Sequence, residues 1–159
     1  MGFALSTMQV SSSAFAAGGS IPRRHAADGD DVSPVLSWKD PPAEAKAFAV
    51  ICHDPDAPLI TPGRYGFVHW VLYDIPGTVH ALAEGTTEYT AGKNDYGKIG
   101  YGGPLPPPGH GVHHYFFWVF ALDRELALPP GLTMWELLER IEPSVLAMNR
   151  YVGTYERRG

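Results

Sequence analysis

The run Asp54-Pro55-Asp56-Ala57-Pro58 sets two carboxylates two positions apart on a turn. Its prolines fix φ, remove two amide donors and stop a strand from continuing. Carboxylates held this rigidly suit the orientation of imidazoles. An Asp that accepts one ring N–H fixes the tautomer and raises the basicity of the other nitrogen, which is left to meet a ligand. His69 and His113 are the candidates. Strand side chains alternate between faces, so His113 shares a face with Tyr115 while His114 points away, and His69 is expected beside Val71 and Tyr73, opposite Trp70 and Leu72. A protonated histidine attracts phosphate. The backbone amides of Gly100-Tyr101-Gly102-Gly103-Pro104 are expected to complete an anion cradle, because glycine lets an oxygen approach the main chain closely. The same side chains, Asp54, Asp56, His69 and His113, are competent metal ligands and keep a metal-dependent hydrolase open as the alternative. Neither His69 nor His113 lies in a His-x-x-x-His or His-x-Asp spacing, so spacing gives it no support.

The elements that must position these residues read as strands. Phe48-Ala49-Val50-Ile51-Cys52 is a continuous apolar run between Pro42 and Pro55, as a strand buried on both faces requires, and it delivers His53 and Asp54 at its exit. Val68 to Ile75 and His113 to Leu122 are two more, rich in β-branched and aromatic side chains. Each histidine therefore lies near a strand end, where pockets open. Residues 77–111 form a glycine- and proline-rich connection whose length alone marks it as functional. Leu36-Ser37-Trp38 offers a short strand after turn-rich stretches. At the other end Thr133, with Glu136 three residues on, caps a helix whose stripe is Trp135, Leu137, Leu138 and Ile141. Pro143 breaks it, and Val145, Leu146 and Met148 are expected to continue a second helical piece.

Composition narrows the function classes. The 159 residues suit one domain, 1–159, and the 45% apolar share builds a core without disulfide or metal staples. A net charge of −5 with no Lys/Arg block argues against nonspecific nucleic-acid or membrane-surface binding. The single cysteine fits a reducing compartment, so the cytoplasm is expected. No run reaches the roughly 20 apolar residues of a spanning helix. Met1-Gly2-Phe3-Ala4-Leu5-Ser6 matches the loose N-myristoylation pattern, which arises easily by chance. Cys52 beside His53 reads as a buried hydrophobe rather than a nucleophile, because neighbouring strand residues face opposite sides. A serine hydrolase lacks material: apart from Ser144, every serine lies at or before Ser37. The acidic cluster Asp28, Asp30 and Asp31 lacks the later Glu of a calcium loop and reads as a solvated turn.

Taken in order, these motifs carry a resemblance. Ile21-Pro22, Asp28-Gly29 through Ser33-Pro34, Leu36-Ser37-Trp38, Asp54 to Pro58, His69-Trp70, Gly102-Gly103-Pro104 through Pro106-Pro107, His113-His114-Tyr115, Phe120-Ala121-Leu122 and Gly153-Thr154-Tyr155 span nearly the whole chain. The chain resembles the phosphatidylethanolamine-binding protein family in its bacterial and archaeal Raf-kinase-inhibitor-like branch. The resemblance implies a mainly β (α+β) fold, a large antiparallel sheet packed with a smaller sheet and peripheral C-terminal helices. It also implies a pocket for phosphate, phosphoryl-ethanolamine-like or carboxylate anions. Carried over by position, the ligand-binding residues would be Asp54, Asp56, Pro58, His69, Gly103, Pro104, His113 and Tyr115, with no cofactor. Relatives serve either as small-anion binders or as regulators that recognise a phosphorylated protein partner or inhibit a kinase or protease, and some form homodimers. Two departures stand out. The family commonly has Arg where this chain has His114, so a pairing made by that Arg is expected to be altered. Phe67-Val68 precedes His69 where a Trp is often found.

Overall fold

The computed structural model describes residues 3–57 and 65–158; Met1 and Gly2 of the myristoylation pattern and Pro58 of the turn lie outside them. Among the described residues eight strands and one α-helix follow in chain order: β1 (Gln9–Ser11), β2 (Leu36–Lys39), β3 (Ala47–Asp54), β4 (Phe67–Pro76), β5 (Ala81–Leu82), β6 (Thr90–Ala91), β7 (His113–Leu122), α1 (Met134–Ile141) and β8 (Val145–Tyr155). They make a five-stranded antiparallel sheet ordered β6-β4-β3-β7-β8 and a three-stranded antiparallel sheet ordered β1-β2-β5. This is the mainly β, two-sheet architecture that the resemblance implied.

Strand β3 is central because every residue of it is buried, so its side chains must find apolar partners on both faces. Phe48, Val50 and Cys52 face the smaller sheet and pack with Leu36, Trp38, Trp70, Leu72, Phe117 and Val119. The Trp38 and Phe48 rings meet at 5.2 Å. Ala47, Ala49 and Ile51 face the other way, into a second cluster roofed by Leu137 and Ile141 of α1. The helix begins with a capping box: the Glu136 amide donates to Thr133 Oγ1 at 3.2 Å and the Thr133 amide donates to Glu136 Oε1 at 2.9 Å. Its buried stripe is Met134, Leu137 and Ile141, whereas Trp135, expected in that stripe, is exposed.

The second expected helical piece is instead a strand. Glu142–Ser144 form one 3₁₀ turn around Pro143, and from Val145 the backbone is extended and pairs along the length of β7, from Leu122↔Val145 to His113↔Tyr155. Apolar residues at 145, 146 and 148 fit a short helix or a strand equally well; the unpaired N–H and C=O groups of β7 decide the matter, because a buried strand edge left open is costly. The long connection 77–111 likewise contains β5 and β6, one strand joining each sheet. Among the described residues no helix is long and apolar enough to cross a membrane.

Candidate functional site

The C-terminal end of β3, the start of β7 and the start of β4 meet at one end of the large sheet. Asp54 Oδ2 accepts from His113 Nδ1–H at 2.7 Å, and both residues are buried. The amide of Asp56 donates to Asp54 Oδ1 at 2.8 Å, so the turn folds back on the carboxylate that ends the strand. Burial pushes the Asp54 carboxyl up from its ordinary value, and the hydrogen bond and charge of His113 oppose that push. The result is a fixed tautomer: His113 spends Nδ1 on Asp54 and turns Nε2 outward.

His69 arrives by a route that alternation does not foresee. In the β3–β4 ladder Cys52 pairs with Trp70 and the next residue, His53, pairs with Val68, so His69 is the extra residue of a β-bulge. The bulge corrects the expectation that His69 shares the face of Val71 and Tyr73. It turns the imidazole toward Phe67 and Tyr115, with ring centroids 4.7 and 5.2 Å away. His69 Nδ1–H donates to the Gly102 carbonyl at 2.8 Å. Burial holds its pKa down to about 4, so the ring is neutral near neutral pH.

The glycine loop also differs from expectation. Its amides form no anion cradle, since those of Gly100, Gly102 and Gly103 donate to the Gly92 carbonyl, the His69 carbonyl and Asp31 Oδ1. The loop instead supplies acceptors: Gly102 O to His69 and Gly103 O to the Tyr96 hydroxyl at 2.6 Å. Glycine is required at two of these positions for contact reasons. A Cβ at Gly102 would strike the Tyr96 ring and one at Gly103 the His25 carbonyl. Pro104 is buried, and its carbonyl accepts from the Ala27 amide at 2.9 Å. The aspartates of the acidic cluster serve structure too: Asp30 meets Arg24, Asp28 accepts from the Tyr155 hydroxyl, and Asp31 accepts from Gly103.

Tyr115 stands next to these groups with its hydroxyl fully buried and without a hydrogen-bond partner among the described residues. Burial, then the charge of Asp54, drives its pKa upward, so the phenol remains a proton donor. Cys52 lies in the core between the sheets, its thiol pushed well up by burial and by Asp54, and is no nucleophile. His53, on the opposite face, gives Nε2–H to the Tyr65 carbonyl at 2.7 Å and borders an apolar cavity of about 260 Å³ with Ile51, Trp118 and Trp135.

Two contributors, Tyr96 and His110, escaped the sequence reading. Tyr96 packs edge-on against Phe67 and His69, its pKa pushed up to about 12 by burial. His114 points away from Tyr115 as expected, and its backbone amide and Nδ1–H both donate to Asp56 Oδ2, at 2.8 and 2.7 Å. His110 stands before His113, Nδ1 to Nε2 at 2.6 Å. Tyr96 had a signal, an aromatic in the glycine loop; His110 had none beyond its residue type.

Sequence comparison places this architecture. The profile of the phosphatidylethanolamine-binding protein family matches residues 11–156. The chain belongs to that family. A relative from Aquifex aeolicus described as a UPF0098 protein is 43% identical over 157 residues, covering 94% of this chain and 89% of its own. A UPF0098 protein from Methanothermobacter thermautotrophicus is 41% identical over 157 residues, covering 94% and 99%. Among solved structures, a phosphatidylethanolamine-binding protein homologue from Chlamydia trachomatis superposes with a TM-score of 0.87 at 38% identity, covering 94% of this chain and 97% of that one. E. coli YbcL, described as a member of the mammalian family, gives 0.86 at 30% identity, covering 96% and 100%. The family's fold is thus the fold described above.

Proposed function

We propose that this member of the phosphatidylethanolamine-binding protein family binds small tetrahedral oxyanions, phosphate or phosphorylethanolamine-like groups, in the pocket of Asp54, His69, His113 and Tyr115. Asp56, Gly103 and Pro104 hold the surrounding backbone. Through the same pocket it recognises a phosphorylated group on a protein partner in the cytoplasm, as a regulator of a kinase or protease would. The buried Tyr115 hydroxyl carries this reading. An unpartnered buried donor costs about 1–3 kcal/mol, and an oxyanion acceptor would repay it. The outward Nε2 of His113 is the second contact, fixed in direction by Asp54.

We read the role as binding, with the metal-dependent hydrolase as the alternative. Among the described residues no three His, Cys, Asp or Glu side chains converge as a metal site needs. Asp54 and Asp56 are each spent on a different histidine, which also leaves the metal-dependent hydrolase without its carboxylate pair. Calorimetric titration with inorganic phosphate and with O-phosphorylethanolamine tests the reading. Wild-type protein is expected to bind at least one of them, and Tyr115→Phe to bind it about tenfold more weakly. Absence of binding to both at millimolar concentration, or a Tyr115→Phe variant that binds like wild type, overturns it. Stoichiometric zinc in the purified protein together with phosphoester hydrolysis would favour the enzyme instead.

A further inference from the structure

Building on the anion-binding reading, we propose that His110 is a ligand-binding residue of this pocket, whose pair with His113 takes up the pocket's positive charge. Two ring nitrogens 2.6 Å apart must share a proton, since two lone pairs or two N–H groups at that distance repel. His113 already gives Nδ1–H to Asp54, so its Nε2 meets His110 Nδ1, and any oxyanion approaching Nε2 meets His110 first. The two rings also lie against each other, with centroids 4.9 Å apart.

The mobility of the two partners differs in a way that assigns their roles. His113 is buried in β7 and bound by Asp54. His110 is exposed on the connection before β7, flanked by Gly109 and Gly111 at φ +72° and +91°, and a Cβ at Gly111 would meet nothing within 4 Å. His110 can therefore move aside by a small backbone rotation, opening room for an oxygen between the two nitrogens, each then donating one N–H. The bound arrangement needs a proton on both facing nitrogens where the free pair needs one. Because His113 Nδ1 already carries the proton given to Asp54, the one proton taken from solvent for each anion bound makes His113 the cation and leaves His110 donating as its neutral Nδ1–H form.

Charge points the same way. Asp54 from β3 and Asp56 from the following turn are negative. His69 from β4 is held neutral by burial, and Tyr96 and Tyr115 remain protonated. Tyr155 pairs opposite His113 on β8. Arg157, a permanent cation beyond β8, gives Nε–H to the Pro106 carbonyl and accepts the Gly109 amide at its own carbonyl, so it anchors the loop that carries His110. His114 is engaged with Asp56. Attraction for an anion must then come from the His110–His113 pair, which can take a proton on a facing nitrogen while the bond from His113 Nδ1 to Asp54 is kept. Histidine changes charge in the range where this would operate.

Sulfate is the probe, because its own charge is constant between pH 6 and pH 8, unlike that of phosphate. Wild type is expected to bind sulfate about tenfold more tightly at about pH 6 than at about pH 8, the linkage of a single proton. His110→Phe, which can donate nothing to the anion, is expected to bind sulfate about tenfold more weakly at about pH 6, whereas His110→Gln, which still donates, is expected to keep the wild-type affinity within about twofold. His114→Gln is expected to keep the wild-type gain. Wild-type affinity in His110→Phe, or loss of the pH gain in His114→Gln, overturns the proposal while leaving the anion-binding reading intact; wild type that binds no sulfate at either pH overturns both. Near-identical melting of His110→Phe and wild type is expected, because His110 is exposed, and it confirms that the variant reports on the site.

Discussion

Consecutive residues of β7 make two His–Asp pairs of equal length, 2.7 Å in each, in opposite surroundings. In the His113–Asp54 pair the side chains are 2% and 3% exposed; in the His114–Asp56 pair they are 51% and 41% exposed. Equal geometry therefore carries unequal consequences. The buried pair takes two polar groups out of water and keeps them only because each satisfies the other, so removal of one strands the other. The exposed pair competes with solvent at every moment. Alternation along the strand produces this division: one residue enters the pocket between the sheets, and the next faces water and ties down the Asp-Pro-Asp turn.

The largest effect expected is on the buried side. Asp54→Ala should lower the unfolding free energy by about 3–5 kcal/mol, while Asp56→Ala lowers it by less than about 1 kcal/mol, both read from urea denaturation. Asp54→Asn keeps an acceptor for His113 Nδ1–H and should fall between them. Equal losses in the two Ala variants would show that burial does not distinguish the pairs.

Next comes the pH dependence set by His69. Its folded pKa is lowered from 6.5 to about 4, so between those values the unfolded chain binds more protons and stability falls as pH falls. The full shift corresponds to about 3 kcal/mol lost between neutral pH and pH 4. Denaturation at the two pH values should show this slope, and ring-nitrogen NMR should find His69 neutral down to about pH 5. A ring that titrates at the ordinary value would mean the bulge leaves it open to water.

Tyr115→Phe separates function from stability. Removing an unpartnered hydroxyl should leave stability unchanged or raise it by up to about 1 kcal/mol, even as oxyanion binding weakens. A clear loss of stability would reveal a partner for the hydroxyl within the protein.

The smallest effect belongs to the exposed pair. Burial is the largest single influence on Asp56 and pushes it up, but the two hydrogen bonds from His114 and its charge together bring the carboxyl below its ordinary value. A lowered carboxylate contributes stability above its unfolded pKa and loses it as pH falls through the folded one. Asp56→Asn should therefore flatten the acid limb of the stability curve by a few tenths of a kcal/mol, and salt should shrink the difference further.

Much of the site's material was readable from local chemistry. Asp54 and Asp56 stand on a proline-locked turn after an apolar run, and His113 and Tyr115 sit two apart on a strand; each inference needs only a neighbouring residue. What failed needed a distant one. His69 faces Tyr115 because β4 carries one residue more than β3 at that point. The loop amides are unavailable because Asp31 and the main-chain carbonyls of His69 and Gly92 claim them. Val145 to Tyr155 is a strand because β7 has an edge to fill. His110 is apposed to His113 through the path of a proline- and glycine-rich loop that no periodicity describes.

By itself, the sequence determined the buried strands, the breaks between them, the capped helix and the kinds of side chain that collect at one end of the sheet, because these follow from hydrophobic burial and backbone restriction within a few residues. Tertiary structure alone decided which nitrogen faces which oxygen. Hydrogen-bond direction between distant segments depends on register, and a single inserted residue such as His69 changes the face a side chain occupies.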